Sequence, residues 1–250
     1  MCTMTWFVRN QGYELFFNRD ERNSRRRASP PTLTIVDGVQ VIAPTDTDAG
    51  GTWIAVNQYG VTVCLLNHYQ FEQIESYKDW ISRGQIVRHF SGAARIDDVI
   101  AEFANLSLND YRAFRLFVIE PSGDNSLCVW DGHTPRVEQN VSSPKSSSSV
   151  DAVHVKGMRR TLFRNLDLDN SASTQAYLDY HASHQPTRSK ESVCMHREDA
   201  NTVSLTHVAV SGEQIAMRYA DGPPCQAPLG DLVEIAFSPP HTSLTVSACS

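Results

Sequence analysis

The stretch MCTMTWFVRNQGYELFFNRDER, residues 1–22, reads as two strands folded back on each other. Residues 3–8 and 13–18 are rich in aromatic and β-branched side chains. They flank Asn10-Gln11-Gly12, a hairpin-type turn. Alternation along the second strand places Glu14, Phe16, Asn18 and Asp20 on one face, with Leu15, Phe17, Arg19 and Glu21 on the other. The apolar run Leu15-Phe16-Phe17 passes directly into Asn18-Arg19-Asp20-Glu21. A solvated strand end held by an arginine–carboxylate pair would account for those charges. It would not account for a polar block closing a strand that is otherwise set up for burial.

Working outward, residues 39–43, 52–57 and 61–67 read as further strands, with Pro30-Pro31 and residues 46–51 as loops. The period then changes. Residues 79–90 predict a helix, and residues 95–106 a clearer one, because Ile96, Val99, Ile100 and Phe103 fall on one face. Strands return at 114–119, at 127–130 and near Val137. Residues 142–149, SSPKSSSS, read as a low-complexity linker. Val155, Met158, Leu162 and Leu166 mark a third helix, and residues 172–184 a fourth. Residues 203–210, 214–219 and 232–237 close the chain as strands. Hairpins rather than alternating β-α units predict an α+β protein with antiparallel sheets and helices packed outside. No internal repeat or boundary divides residues 1–250, so one domain is expected.

Composition narrows the function classes. With 41% hydrophobic and 20% charged residues, 250 residues can bury a sizeable core. A net charge of -6 argues against a general nucleic-acid surface. The basic cluster of residues 22–27 is a local exception, either a solvated loop or the rim of an anion pocket. No apolar run approaches a membrane span and no targeting segment is evident, so a cytoplasmic protein is expected. The cysteines at 2, 64, 128, 194, 225 and 249 are scattered singly, unlike a disulfide scaffold or paired zinc ligands.

Cys2 is distinguished by position. Aminopeptidases remove an initiator methionine that precedes a small residue, which would leave Cys2 with a thiol and a free α-amine. That amine has a reference pKa of about 7.7–8.0, so part of it is neutral at pH 7 and can accept the thiol proton. Nucleophile and general base then reside in one residue. Such a site needs a group to orient the amine, a cation near the thiolate and donors for an oxyanion. The polar block offers the first two. Asn67, which ends the apolar strand VTVCLLN, offers an amide. Asp48-Ala49-Gly50-Gly51-Thr52-Trp53 joins a flexible loop to an aromatic side chain, suited to close approach of a ligand.

These segments carry a resemblance. MCTMTW, NRDE at 18–21, DAGGTW at 48–53 and LLNHY at 65–69 resemble the NRDE family, also called the transport-and-Golgi-organisation type 2 family. Weaker matches are the serines at 146–149 and SVCMHRED at 192–199. That family is similar to the choloylglycine-hydrolase branch of the N-terminal-nucleophile hydrolases. The resemblance implies a four-layer αββα sandwich of two antiparallel sheets flanked by helices. It also implies Cys2 as nucleophile, Arg19 polarising the thiol, Asp20 (or Glu21) holding the amine, and Asn67 in the oxyanion hole. Asn18, Glu21, Gly50, Gly51, Trp53 and Ser147 would then line a site for a small acyl or amide ligand. The chain departs from the pattern in three places, one being that Ser146–Ser149 stands where the hydrolases have an asparagine-containing loop. Arg19 and Asp20 are adjacent where the hydrolases separate them, and Thr202-Val203-Ser204 stands where many eukaryotic members read T-R-S.

Rival chemistries are less well furnished. His181 and His184, or Cys194 and His196, have spacings that suggest metal ligands, but a closed site needs four, and none is expected. No G-x-S-x-G elbow supports a serine hydrolase. A non-catalytic carrier of haem, lipid or acyl-CoA is the alternative to an amidohydrolase or acyltransferase. The enzyme reading expects no cofactor, and only the carrier reading would take haem.

Overall fold

The computed structural model describes residues 1–69 and 79–240. The opening hairpin forms as β1 (Cys2–Arg9) and β2 (Gly12–Arg22). Then follow β3 (Ser29–Val36), β4 (Val39–Thr45), β5 (Ile54–Asn57) and β6 (Thr62–Asn67). Helices α1 (Gly84–Phe90) and α2 (Ile96–Phe103) precede β7 (Phe114–Ile119), β8 (Asn125–Trp130), β9 (Pro135–Gln139) and β10 (Lys145–Ser147). Helices α3 (Ala152–Asn165) and α4 (Thr174–Ala182) lead into β11 (Ala200–Val210), β12 (Gln214–Ala220) and β13 (Val233–Ala236).

The strands assemble into two antiparallel sheets. One has the order β10-β1-β2-β11-β12-β13, the other β3-β4-β5-β6-β7-β8-β9. Their inner faces share a core in which Trp6, Leu15 and Phe17 meet Ile54, Leu66 and Phe117. The outer face of the seven-stranded sheet is covered by Ile86, Phe90, Val99 and Phe103 of α1 and α2. On the other side Leu162, Phe163, Tyr177 and Tyr180 of α3 and α4 cover Phe7 and Phe16. The result is an αββα sandwich, and the alternation seen in residues 13–21 is its cause. One face of β2 feeds the inter-sheet core and the other feeds the helix layer.

Three expectations are corrected. Residues 29–36 form an edge strand despite Pro30-Pro31, because a sheet edge tolerates a missing donor and the register shifts between Ser29 and Thr32. The serine stretch is no linker: Lys145–Ser147 pairs with β1, and Ser146, Ser147 and Ser148 are buried. Helix α1 begins at Gly84, so Ile81 lies outside it and is exposed. Cys249 falls outside the described residues. Among the described residues, no helix is long and apolar enough to cross a membrane.

Candidate functional site

Cys2 starts β1 in the interior of its sheet, opposite Arg19 on β2 and Ser147 on β10. It packs against the inter-sheet core, as does the face of β2 that carries Arg19. The buried Arg19 donates from Nη2 to Glu21 Oε2 at 3.1 Å and to Asp46 Oδ2 at 3.2 Å. Its guanidinium lies over the Trp53 ring, 4.5 Å from the centroid. Arg25 Nη2 reaches both Asp46 oxygens at 2.7 Å. Arg26 pairs with Asp48, and Arg27 with Asp221. Three of the four arginines in the basic cluster are thus paired with carboxylates, and the cluster also lines a cavity of about 370 Å³ together with Arg19 and Arg188.

The chain terminus meets the second sheet here. The Met1 amine donates to Asp20 O at 3.2 Å and to Tyr69 Oη at 3.3 Å. Asn67 Nδ2 donates to the same Tyr69 oxygen at 2.8 Å. Burial opposes charge on the amine, but the Cys2 thiol, Tyr69 and Asp20 outweigh it and raise its pKa to about 10. Burial pushes the Cys2 thiol up; the amine and Arg19 pull it down, and the Asp20 carboxylate adds to the rise. A cavity of about 150 Å³ is walled by Met1, Cys2, Arg19, Trp53, Asn67 and Gly84, among others. A second, of about 640 Å³, shares Met1, Asp20, Asn67 and Tyr69 with it. Met1 lines both cavities, whereas Cys2 lines only the smaller one.

Asp20 borders both cavities, but its carboxylate is engaged on the helix side of the sheet. Oδ1 accepts from Thr202 Oγ1 at 2.6 Å, and Oδ2 lies 3.5 Å from Arg159 Nη1 of α3, with both side chains inaccessible to solvent. Arg159 Nη1 also donates to Thr3 Oγ1 at 2.6 Å. Asn18 faces the same way and donates to the carbonyls of His181 and Val193, so it is not on the cavity wall. Glu21 serves Arg19 and Arg25 rather than the amine.

Gly50 and Gly51 shape the loop that supplies Asp46 and Trp53. Gly50 has φ +66°, and a Cβ on Gly51 would stand 2.6 Å from the carbonyl carbon of Gly84. Ser147 Oγ is buried beside Cys2 and has no hydrogen-bond partner.

The structure thus gathers Cys2, Arg19, Glu21, Trp53 and Asn67 at the seam between the sheets. Four contributors escaped sequence reasoning. Asp46, Tyr69 and Thr202 lie inside or beside the quoted motifs, so proximity to DAGGTW, LLNHY and the T-x-S triplet was an available signal. Arg159 had none, since it reads as one more basic residue on an amphipathic helix. At Val203, in the T-R-S position, the β2–β11 register shifts between Thr202 and Ser204, directly opposite Asp20 and Arg19.

Two antiparallel sheets between helix layers, with the chain terminus at their seam, are the fold of the N-terminal-nucleophile hydrolases. An N-acylethanolamine-hydrolyzing acid amidase orthologue from Caenorhabditis elegans superposes with a TM-score of 0.61 at 10% identity, covering 83% of this chain and 92% of that one. A mutant conjugated bile acid hydrolase from Clostridium perfringens gives 0.56 at 11% identity, covering 94% and 92%. Penicillin V acylase from Agrobacterium tumefaciens gives 0.53 at 10% identity, covering 94% and 86%. The chain belongs to the Transport and Golgi organisation 2 family, whose sequence profile matches residues 1–214. Among curated proteins, no sequence match is found.

Proposed function

We propose that the protein is a cysteine amidohydrolase or acyltransferase acting on a small amide or acyl compound, activated by removal of Met1. The observation that carries this reading is the company of Cys2: a terminal amine, the Arg19 guanidinium and the Asn67 amide around one cavity. The solved neighbours named for amide hydrolysis support the class of reaction.

Hydrolysis of the Met1–Cys2 peptide bond releases methionine, frees the backbone nitrogen of Cys2 as the α-amine, and opens the space the methionine fills. The neutral amine takes the thiol proton, and sulfur attacks the acyl carbon. Arg19 stabilises the thiolate, and Asn67 Nδ2 turns from Tyr69 to the developing oxyanion. Collapse of the adduct returns the amine's proton to the leaving group and leaves a thioester. Attack by water completes hydrolysis; attack by an acceptor amine or thiol completes transfer.

The test is intact mass after exposure of processed protein to an activated acyl probe, followed by turnover on an acyl panel. A Cys2 acyl adduct, abolished turnover in Cys2→Ala and a loss of about 10²–10³-fold in Asn67→Ala are expected. Wild-type turnover in Cys2→Ala on every accepted substrate removes the nucleophile. A co-purifying ligand with no adduct puts a carrier in its place.

A further inference from the structure

Around Met195, whose N–H bonds Thr202 Oγ1, lies a second cluster of reactive side chains. His184, Cys194, His196 and Cys225 each present one ligand atom, and the four atoms lie within 4.8 Å of one another. His196 Nε2 is 3.6 Å from Cys194 Sγ and 3.5 Å from Cys225 Sγ. Zinc–sulfur bonds of about 2.3 Å and zinc–nitrogen bonds of about 2.0–2.1 Å at tetrahedral angles set S···N edges near 3.6 Å. The two observed edges have that length. His184 Nε2 is buried without a hydrogen-bond partner, and its ring meets that of His196 edge-on at 5.1 Å. The geometry points to a closed, structural Zn²⁺ site formed by His184, Cys194, His196 and Cys225.

Two thiolates with two imidazoles form a donor set that zinc favours over hard cations, and four protein ligands leave no open position for chemistry. The ligands come from three places: the turn after α4, the segment before β11, and the loop between β12 and β13. A metal there would add a staple to segments that backbone hydrogen bonds already bring together, such as Cys194 N to Ser183 O at 3.0 Å. The staple adjoins the candidate site. Met195, between two ligands, packs on Met1, and its N–H bonds Thr202 Oγ1, which in turn donates to Asp20. One contact must change. Arg188 Nη2 lies 3.3 Å from His196 Nδ1, and a zinc-bound His196 carries a proton on Nδ1, so the exposed Arg188 has to swing away.

The experiment is metal analysis of untagged, full-length protein purified under reducing conditions, as isolated and after incubation with Zn²⁺ alone. One zinc ion per chain is expected, falling to background in Cys225→Ser and in His184→Ala. Co²⁺ added to metal-free wild type should give the intense d–d absorption of a tetrahedral thiolate site, which keeps the test decisive if a variant fails to fold. Three results would overturn the site: no bound metal after Zn²⁺ incubation, unchanged metal content in folded variants, or a Cys194–Cys225 disulfide in reductant-treated protein. The readout does not involve acyl chemistry, so it stands or falls independently of the nucleophile.

Discussion

Asp20 carries a charge that the fold has sealed between a strand and a helix, where Arg159 and Thr202 are its partners. Buried pairs of this kind are marginal when intact and costly when broken, because the surviving charge is left alone. Asp20→Asn preserves shape and strands Arg159, so a loss of about 3–5 kcal/mol in denaturant unfolding is expected. The same carboxylate raises the pKa of Cys2. Its removal should therefore quicken alkylation of Cys2 by iodoacetamide at pH 7, measured well below the unfolding midpoint, since the thiolate fraction sets the rate. Arg19→Met should slow the same reaction. Thr202→Val is the control: it weakens the region but leaves the charge, so its alkylation rate should stay at the wild-type value. Equal acceleration in the Asp20→Asn and Thr202→Val variants would assign the effect to opening of the strand rather than to electrostatics.

At the scale of elements, His181 pins α4 to the six-stranded sheet. Its Nε2 lies 2.8 Å from Thr5 Oγ1 and its ring stacks on Phe16 at 5.8 Å, while its carbonyl takes a bond from Asn18. Burial, aided by Arg159 and His207, lowers its pKa from 6.5 to about 3. The unfolded chain therefore binds a proton that the folded chain refuses between those values, and stability must rise with pH across that window. Acidification from pH 7 to pH 5 should cost wild type up to about 1.4 kcal/mol per unit below pH 6.5 from this group alone. His181→Gln should lack that slope, so urea unfolding of the two proteins should diverge at pH 7 and converge toward pH 5. Parallel curves would mean that His181 is solvated. Elements differ in how far the chain announces them. The apolar stripes of α2 and α3 and the alternation of β2 follow from local spacing, so layers and faces are legible in the sequence. Tyr69 beside the Met1 amine, or Arg159 against Asp20, depends on which elements become neighbours across long sequence separations, and no local pattern encodes that. Lys145–Ser147 reads as a linker because serine has no strand signature; only its pairing with β1 makes it a strand.

For the whole molecule, the candidate site belongs to neither sheet. Cys2 and Arg19 come from one, while Asp46, Trp53 and Asn67 come from the segment that builds the other. The inter-sheet core fixes their separation. Phe117 packs on Trp6 at 4.4 Å and pairs in register with Cys64, whose Sγ lies 3.4 Å from Met4 Sδ, two residues along β1 from Cys2. Phe103 is buried as deeply, but in the layer outside the seven-stranded sheet, against Phe114 at 6.1 Å. Phe117→Leu and Phe103→Leu each remove similar volume and should each cost about 1–3 kcal/mol. Their effects on the site should differ. Close-packed interiors transmit strain to their neighbours, so a void at Phe117 lets the sheets shift at the seam, while one at Phe103 relaxes into the helix layer. Cys2 alkylation, compared at matched stability by adjusting urea, should change several-fold in Phe117→Leu and stay at the wild-type rate in Phe103→Leu. Identical rates in the two variants would show that the hairpin alone, and not the packing of one sheet on the other, sets the surroundings of Cys2.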